Sequence, residues 1–143
     1  MRGPILYYKN SIIARGKKRY KMGIFITFEG GDGSGKTTKI NLLKNSFEKE
    51  GYDVYLTREP GGTPISEQIR KVIMDRGNSA MAPLTELLLY EASRAQHVEE
   101  FIVPTLKNEN ALVISDRFFD ATSAYQACAR SLGSELVEKL NLI

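Results

Sequence analysis

One glycine-rich segment, Gly30-Gly31-Asp32-Gly33-Ser34-Gly35-Lys36-Thr37, constrains this chain more than any other feature. It fits G-x-x-x-x-G-K-[ST] at every fixed position. The run before it, Ile24-Phe25-Ile26-Thr27-Phe28, is short and apolar and reads as a buried strand. After it, Ile40, Leu43 and Phe47 recur at helical spacing, in a helix ending at Gly51. Strand, glycine loop and helix in this order predict a phosphate cradle. The glycines let successive backbone N–H groups turn inward around phosphate oxygens, and the helix adds its positive N-terminal end. Gly30, Gly31, Asp32, Gly33, Ser34, Gly35, Lys36, Thr37 and Thr38 are then the candidates for holding a nucleoside triphosphate. In that cradle Lys36 reaches the β/γ-phosphates and the Thr37 hydroxyl ligates Mg²⁺.

The alternation continues downstream. Asp53 to Thr57 reads as a second strand, and Arg58-Glu59-Pro60-Gly61-Gly62 reads as a loop. Ile65, Ile69, Val72 and Ile73 mark a helix stopped near Gly77. A longer helix runs from Pro83 to about Phe101, with Pro104 near its end, and Ala111 to Ser115 is a third strand closing on Asp116. Residues 121–129 and 135–140 read as helical. Apolar strands alternating with helices predict an α/β, three-layer fold with a parallel sheet covered on both faces. Ligands in such sheets sit at the carboxyl ends of the strands. Residues 29–37, 58–63 and 116–126 each follow a strand end. Asp116 is therefore a second candidate on the metal side, and Arg58 and Arg117 are candidates for an acceptor phosphate, which an arginine fork binds bidentately. A helix cap for Asp116, and surface ion pairs for the two arginines, are the plainer alternatives.

The long helix carries two stripes. Leu84, Leu88, Ala95, Val98 and Ile102 read as the core face. Tyr90, Arg94, His97 and Phe101 form a second face that could stack on a base and bond its carbonyl, or simply be half-buried surface. His97 reads as structural rather than catalytic. Glu91 falls within the apolar stripe.

Composition excludes several classes. Cys128 is the one cysteine, so no internal disulfide forms; with a single histidine as well, a protein zinc site is disfavoured. Cys128 reads as a small buried apolar residue. No apolar run approaches the 18 or so residues of a membrane span. The net charge of +3 is uneven: residues 1–21 carry seven basic groups and no acid, leaving 13 Lys and Arg against 17 acids in residues 22–143, a charge of −4. A nucleic-acid reading would rest on that tail alone. Residues 1–21 read as a basic extension that is disordered, lies upstream of a true start at Met22, or is a transit peptide; residues 22–143 read as a partial phosphate-loop kinase domain. No N-K-x-D occurs, and the one D-x-x-G, Asp32 to Gly35, lies inside the glycine loop, which argues against a GTPase switch.

Four segments, GGDGSGKTT (30–38), TREPGGT (57–63), LLLYEASRAQ (87–96) and SDRFFDATSAYQ (115–126), resemble the thymidylate kinase family in residue type, order and spacing. The resemblance implies a nucleoside monophosphate kinase-like fold and transfer of the γ-phosphoryl of Mg-ATP to dTMP, giving dTDP, in the cytoplasm and commonly in a homodimer. It implies that Lys36 and the loop hold ATP, that Thr37 and Asp116 serve Mg²⁺, and that Asp32 meets the acceptor's sugar and phosphate. Arg58 and Arg117 would clamp the dTMP phosphate, Tyr90 would stack on thymine, and Arg94 would read a thymine carbonyl. Tyr125 would crowd the sugar 2′ position, and Thr122 and Gln126 would contact the base. Glu59-Pro60 would hold a cis bond. Phe118 stands where the family commonly has Tyr or His.

The family's chains run on through a lid and two further strands, in sheet order 2-3-1-4-5, and Gly33 stands where one branch carries an arginine. Without a lid arginine, this chain alone is expected to transfer phosphate poorly, because such a group is worth about 10³–10⁵ in rate in comparable systems. Strand 1 is expected to be an exposed apolar edge that destabilises or associates the isolated chain. The competing expectations are another nucleoside or nucleotide kinase of the same fold and a non-catalytic nucleotide-binding remnant.

Overall fold

A computed structural model describes residues 22–31 and 33–118. The elements in chain order are β1 (Ile24–Phe28), α1 (Lys36–Lys49), β2 (Asp53–Arg58), α2 (Pro64–Met74), α3 (Pro83–His97), α4 (Val103–Leu106) and β3 (Ala111–Asp116). The three strands form a parallel sheet in the order β1-β3-β2. Parallel neighbours require crossovers, and α1 and α2–α4 supply them. The α/β architecture expected from the alternation is therefore present.

Residues alternate between the two faces of a strand. Ile26 and Phe28 on β1 and Leu112 and Ile114 on β3 form one buried face with Ile40 of α1, and Leu43, Phe47 and Val54 pack against it. The opposite face meets the α3–α4 side, where Tyr55 sets its ring edge-on to Phe101 at 6.4 Å. Central β3 is buried from Ala111 to Ser115, as a fully covered parallel strand requires.

Three expectations need correction. Full coverage of both faces fails at β2, an outer strand among those described, where Tyr55 is 39% and Leu56 43% exposed. The core face expected on the long helix is borne out at Ile102, which is buried, with Val98 half-buried, and is misplaced before them. Leu84 and Leu88 are exposed, as is Ala95, whereas Leu87, Ser93, Arg94 and His97 are buried. Hydropathy misjudges this helix because its inward polar groups are paired with the loop after β2. Finally, the helix does not end near Phe101. It passes through a π turn at Val98–Ile102 into α4. Pro104 has no N–H to give the Glu100 carbonyl and its ring crowds that carbonyl, and a widened turn accommodates both constraints.

Among the described residues no helix is long and apolar enough to cross a membrane. The helices expected at 121–129 and 135–140, and Cys128, lie outside the described residues.

Candidate active site at the carboxyl end of the sheet

Phe28, Asp116 and Arg58 share one rung, the last of all three strands. Each strand therefore delivers its following loop to the same end of the sheet. The Glu59 N–H donates to the Asp116 carbonyl at 3.1 Å and the Arg117 N–H to the Phe28 carbonyl at 2.9 Å, extending the ladder by one residue on either side of β3.

The loop after β1 is built by its backbone. Gly30, Gly33 and Gly35 hold positive φ. Gly35 caps α1 without a side-chain hydrogen bond, so no cap side chain uses the first N–H groups of that helix. Lys36 is buried, and its Nζ donates to the Gly30 carbonyl at 2.8 Å and the Gly31 carbonyl at 3.1 Å. The ammonium thus lies over the loop. Gly31, Gly33, Ser34, Thr37 and Thr38 are exposed. Asp32 falls outside the described residues, as do Thr122, Tyr125 and Gln126.

Asp116 Oδ1 is buried and has no hydrogen-bond partner among the described residues. Such an oxygen is costly unless something meets it. Hydroxyl and carboxylate oxygens are the donors Mg²⁺ takes beside phosphates, so Asp116 and Thr37 fit the ion by chemistry.

The loop after β2 is built by side chains. The Glu59–Pro60 peptide is cis, matching the expectation for that bond. Glu59 is buried; its Oε2 accepts from Arg94 Nε at 2.9 Å and its Oε1 pairs with His97 Nδ1 at 3.1 Å. His97 is fully buried and pairs through Nε2 with Thr57 Oγ1 at 2.7 Å. Gly61 N–H donates to Ser93 Oγ, Ser66 Oγ to the Ser93 carbonyl, and Arg70 to the Pro60 carbonyl. Gly62 has φ +94°, and a Cβ there would lie 2.5 Å from His97 Nε2 and 2.7 Å from Thr57 Oγ1. Thr63 caps α2 by accepting from the Ser66 N–H.

The three arginines expected around an acceptor lie on the last residue of β2, on α3 and on the first residue after β3. Arg58 is 54% exposed on its side chain and bonds both carboxylate oxygens of Glu67 at 3.0 Å. Its partner is thus one turn into α2, as the ion-pair alternative allowed. The Gly62 N–H first, then the Arg58 and Arg70 charges, hold the Glu67 carboxyl below the usual range against the opposing effect of burial. Arg94 lies under the loop. Its Nη1 bonds both oxygens of Glu91 at 3.0 Å, and its guanidinium carbon stands 5.3 Å from the Phe118 ring centroid. Burial pushes the Glu91 carboxyl up, Arg94 partly opposes this, and Glu59 adds to it. Arg117 has φ +75°, rare for a residue with a side chain. Its backbone is held at both ends, the carbonyl by Ser115 Oγ at 2.8 Å and the N–H by Phe28. Arg94 therefore touches Glu59, the neighbour of Arg58, and Phe118, the neighbour of Arg117. Tyr90 is half-buried on the same helix, one turn before Arg94. An open cleft of about 320 Å³ beside this loop is lined by Leu56, Thr57, Arg58, Gly62, Glu67 and Phe101.

Sequence reasoning missed Glu59, Glu91, Ser66 and Ser93 as parts of this assembly. The i, i+3, i+6 spacing of Glu91, Arg94 and His97 was a readable signal of one polar helix face.

The family model described as thymidylate kinase matches residues 28–142. The chain is 57% identical over 120 residues to the thymidylate kinase of Pelobacter propionicus, covering 84% of this chain and 54% of that protein. It is 53% identical over 122 residues to that of Geobacter sulfurreducens, covering 85% and 57%. The crystal structure of thymidylate kinase from Ehrlichia chaffeensis superposes with a TM-score of 0.72 at 42% identity, covering 82% of this chain and 65% of that one. The chain spans a little over half the length of the curated relatives it matches.

Proposed function

The chain belongs to the thymidylate kinase family, and on that premise we propose that its site serves phosphoryl transfer from ATP to dTMP, giving dTDP. The observation that supports this is the shared rung of Phe28, Arg58 and Asp116, from which the loops after β1 and β2 leave the sheet at the end where Asp116 stands. In this reading the amides of residues 30–38 and Lys36 gather the triphosphate, with Lys36 exchanging the Gly30 and Gly31 carbonyls for phosphate oxygens. Thr37 and Asp116 would hold Mg²⁺, which when bound neutralises phosphate charge. Arg58 and Arg117 clamp the dTMP phosphate, Tyr90 stacks on thymine and Arg94 donates to its carbonyl. Asp32, Thr122, Tyr125 and Gln126 complete the acceptor site. An acceptor phosphate oxygen forms the new P–O bond at the γ-phosphorus as the bond to the β-phosphate oxygen breaks and ADP leaves. The protein's share is positioning and charge stabilisation. The same reading places the chain in the cytoplasm, as a homodimer.

Nη2 of Arg58 makes both bonds to Glu67, so the arginine can meet a phosphate with its other donors or by giving up the carboxylate. The pair is exposed, and such pairs are worth about 0–1 kcal/mol, so a doubly charged phosphate can displace the carboxylate. Thermal melting with each acceptor tests the assignment: dTMP raises the Tm and AMP and CMP do not. Equal shifts for all three, or none, would overturn it.

A further inference from the structure

We propose, resting on the acceptor reading above, that Glu59 is a positioning residue for base selection, its two oxygens fixing Arg94 on one side and His97 on the other. Glu59 sits one residue after the arginine assigned to the acceptor phosphate, yet its side chain is spent on α3 and is 5% exposed. Both oxygens are engaged, Oε2 by Arg94 Nε at 2.9 Å and Oε1 by His97 Nδ1 at 3.1 Å. A carboxylate oxygen only accepts, so Nδ1 is the donor. In the neutral ring Nε2 then accepts from the Thr57 hydroxyl 2.7 Å away. The result is a directed chain from Thr57 on β2 through His97 to Glu59, with Arg94 donating from the far side.

This chain restrains Arg94 in a way that packing alone does not. Nε is held by Glu59 and Nη1 by Glu91, and the Phe118 ring stands 5.3 Å from the guanidinium carbon. The plane of the fork is set from two edges and a face. The Glu59 backbone is tied to β3 through the Asp116 carbonyl, so the anchor is referenced to the same strand that carries the metal-side acid. An arginine ordered before its ligand arrives loses less conformational freedom on binding, and its donors point one way. His97 sets the height of the support: it fills the space that a Cβ at Gly62 would need, and it stacks on Phe101 at 5.7 Å. Glu59 thus acts through Arg94 and never has to touch the acceptor.

The test is calorimetric titration of this chain with dTMP and with 5-methyl-dCMP, which replaces the 4-carbonyl acceptor by an amine donor. The wild type is expected to prefer dTMP by about tenfold or more, the worth of a hydrogen bond to a charged group set against a mismatch. Glu59→Gln replaces the charged acceptor of Arg94 by a neutral amide, whose NH₂ faces either Arg94, a donor, or His97, whose tautomer then reverses with Thr57 accepting. It is expected to bring the preference within about threefold while the circular-dichroism spectrum stays folded. In an Arg94→Met background the same change adds nothing to the preference. Should Glu59→Gln fail to fold, His97 decides: His97→Asn, whose amide can donate where Nδ1 does, keeps the preference, and His97→Leu loses it. Full preference in folded Glu59→Gln, or equal preference in the two His97 variants, overturns the positioning role and leaves the acceptor reading standing. No saturable dTMP binding by the wild type overturns the acceptor reading and this role with it.

Discussion

The phosphate loop and the loop after β2 leave the sheet at the same rung, and they are held in opposite ways. Residues 30–37 are shaped by backbone torsion: Gly30, Gly33 and Gly35 carry positive φ, and most of the loop is exposed. Residues 58–63 are shaped by side chains from α2 and α3, with Glu59, Pro60, Gly61 and Thr63 buried. A triphosphate presents many equivalent oxygens, and a ring of amides suffices for it. A base is recognised by direction, and directed donors need fixed supports. The contrast teaches that one half of the site is preorganised by what glycine permits and the other by buried charge.

Glycine itself offers the widest gap between the two loops. Gly62 and Gly33 both have positive φ, but only Gly62 has neighbours where a Cβ would go. Gly62→Ala adds overpacking to backbone strain and is expected to cost about 3 kcal/mol, whereas Gly33→Ala costs about 1 kcal/mol. Urea unfolding measures both, and equal costs would break the contrast.

Glu91 sharpens it on the charged side. Its folded-state pKa is raised, chiefly by burial. Its contribution to stability is therefore fully present below the unfolded carboxylate pKa and is lost as pH rises through the folded value. Glu91→Gln keeps an acceptor for Arg94 and removes that loss. Relative to wild type, the Tm of the variant is expected to improve as pH rises from 4.5 to 7.5. A change in the other direction would mean that Arg94 outweighs burial.

Glu67 gives the smallest effect and the opposite sign. Its pKa is lowered, first by the Gly62 N–H, so its contribution is present above the unfolded pKa and is lost as pH falls through the folded one. Glu67→Gln still accepts from Gly62 and removes the charge that holds Arg58. It is expected to change stability by under about 1 kcal/mol while tightening dTMP. Unaltered dTMP affinity on titration would show that the Arg58–Glu67 pair does not compete with the acceptor.

How much of this was legible follows the same division. The glycine loop, its flanking strand and helix, and the three strand ends could be read because spacing and backbone chemistry write them directly. Asp116, Arg58 and Arg117 could be placed at one edge from strand ends alone. The inward face of α3 could not, because Leu84 and Leu88 score as core while Arg94 and His97 score as surface. Their burial depends on Glu59, 35 and 38 residues earlier, and no periodicity carries that pairing. The rim position of β2 came only with the family's strand order, in which strand 2 is outermost, because an apolar run does not say whether its strand lies inside or at the rim of a sheet.

The central claim is that the carboxyl end of this sheet gathers a triphosphate through Lys36. Calorimetric titration of Mg-ATP against the wild type and Lys36→Met tests it most directly, since Met keeps the buried stem and removes the charge. The account predicts saturable binding that weakens by about tenfold or more in the variant. Equal affinity in the two proteins would contradict it.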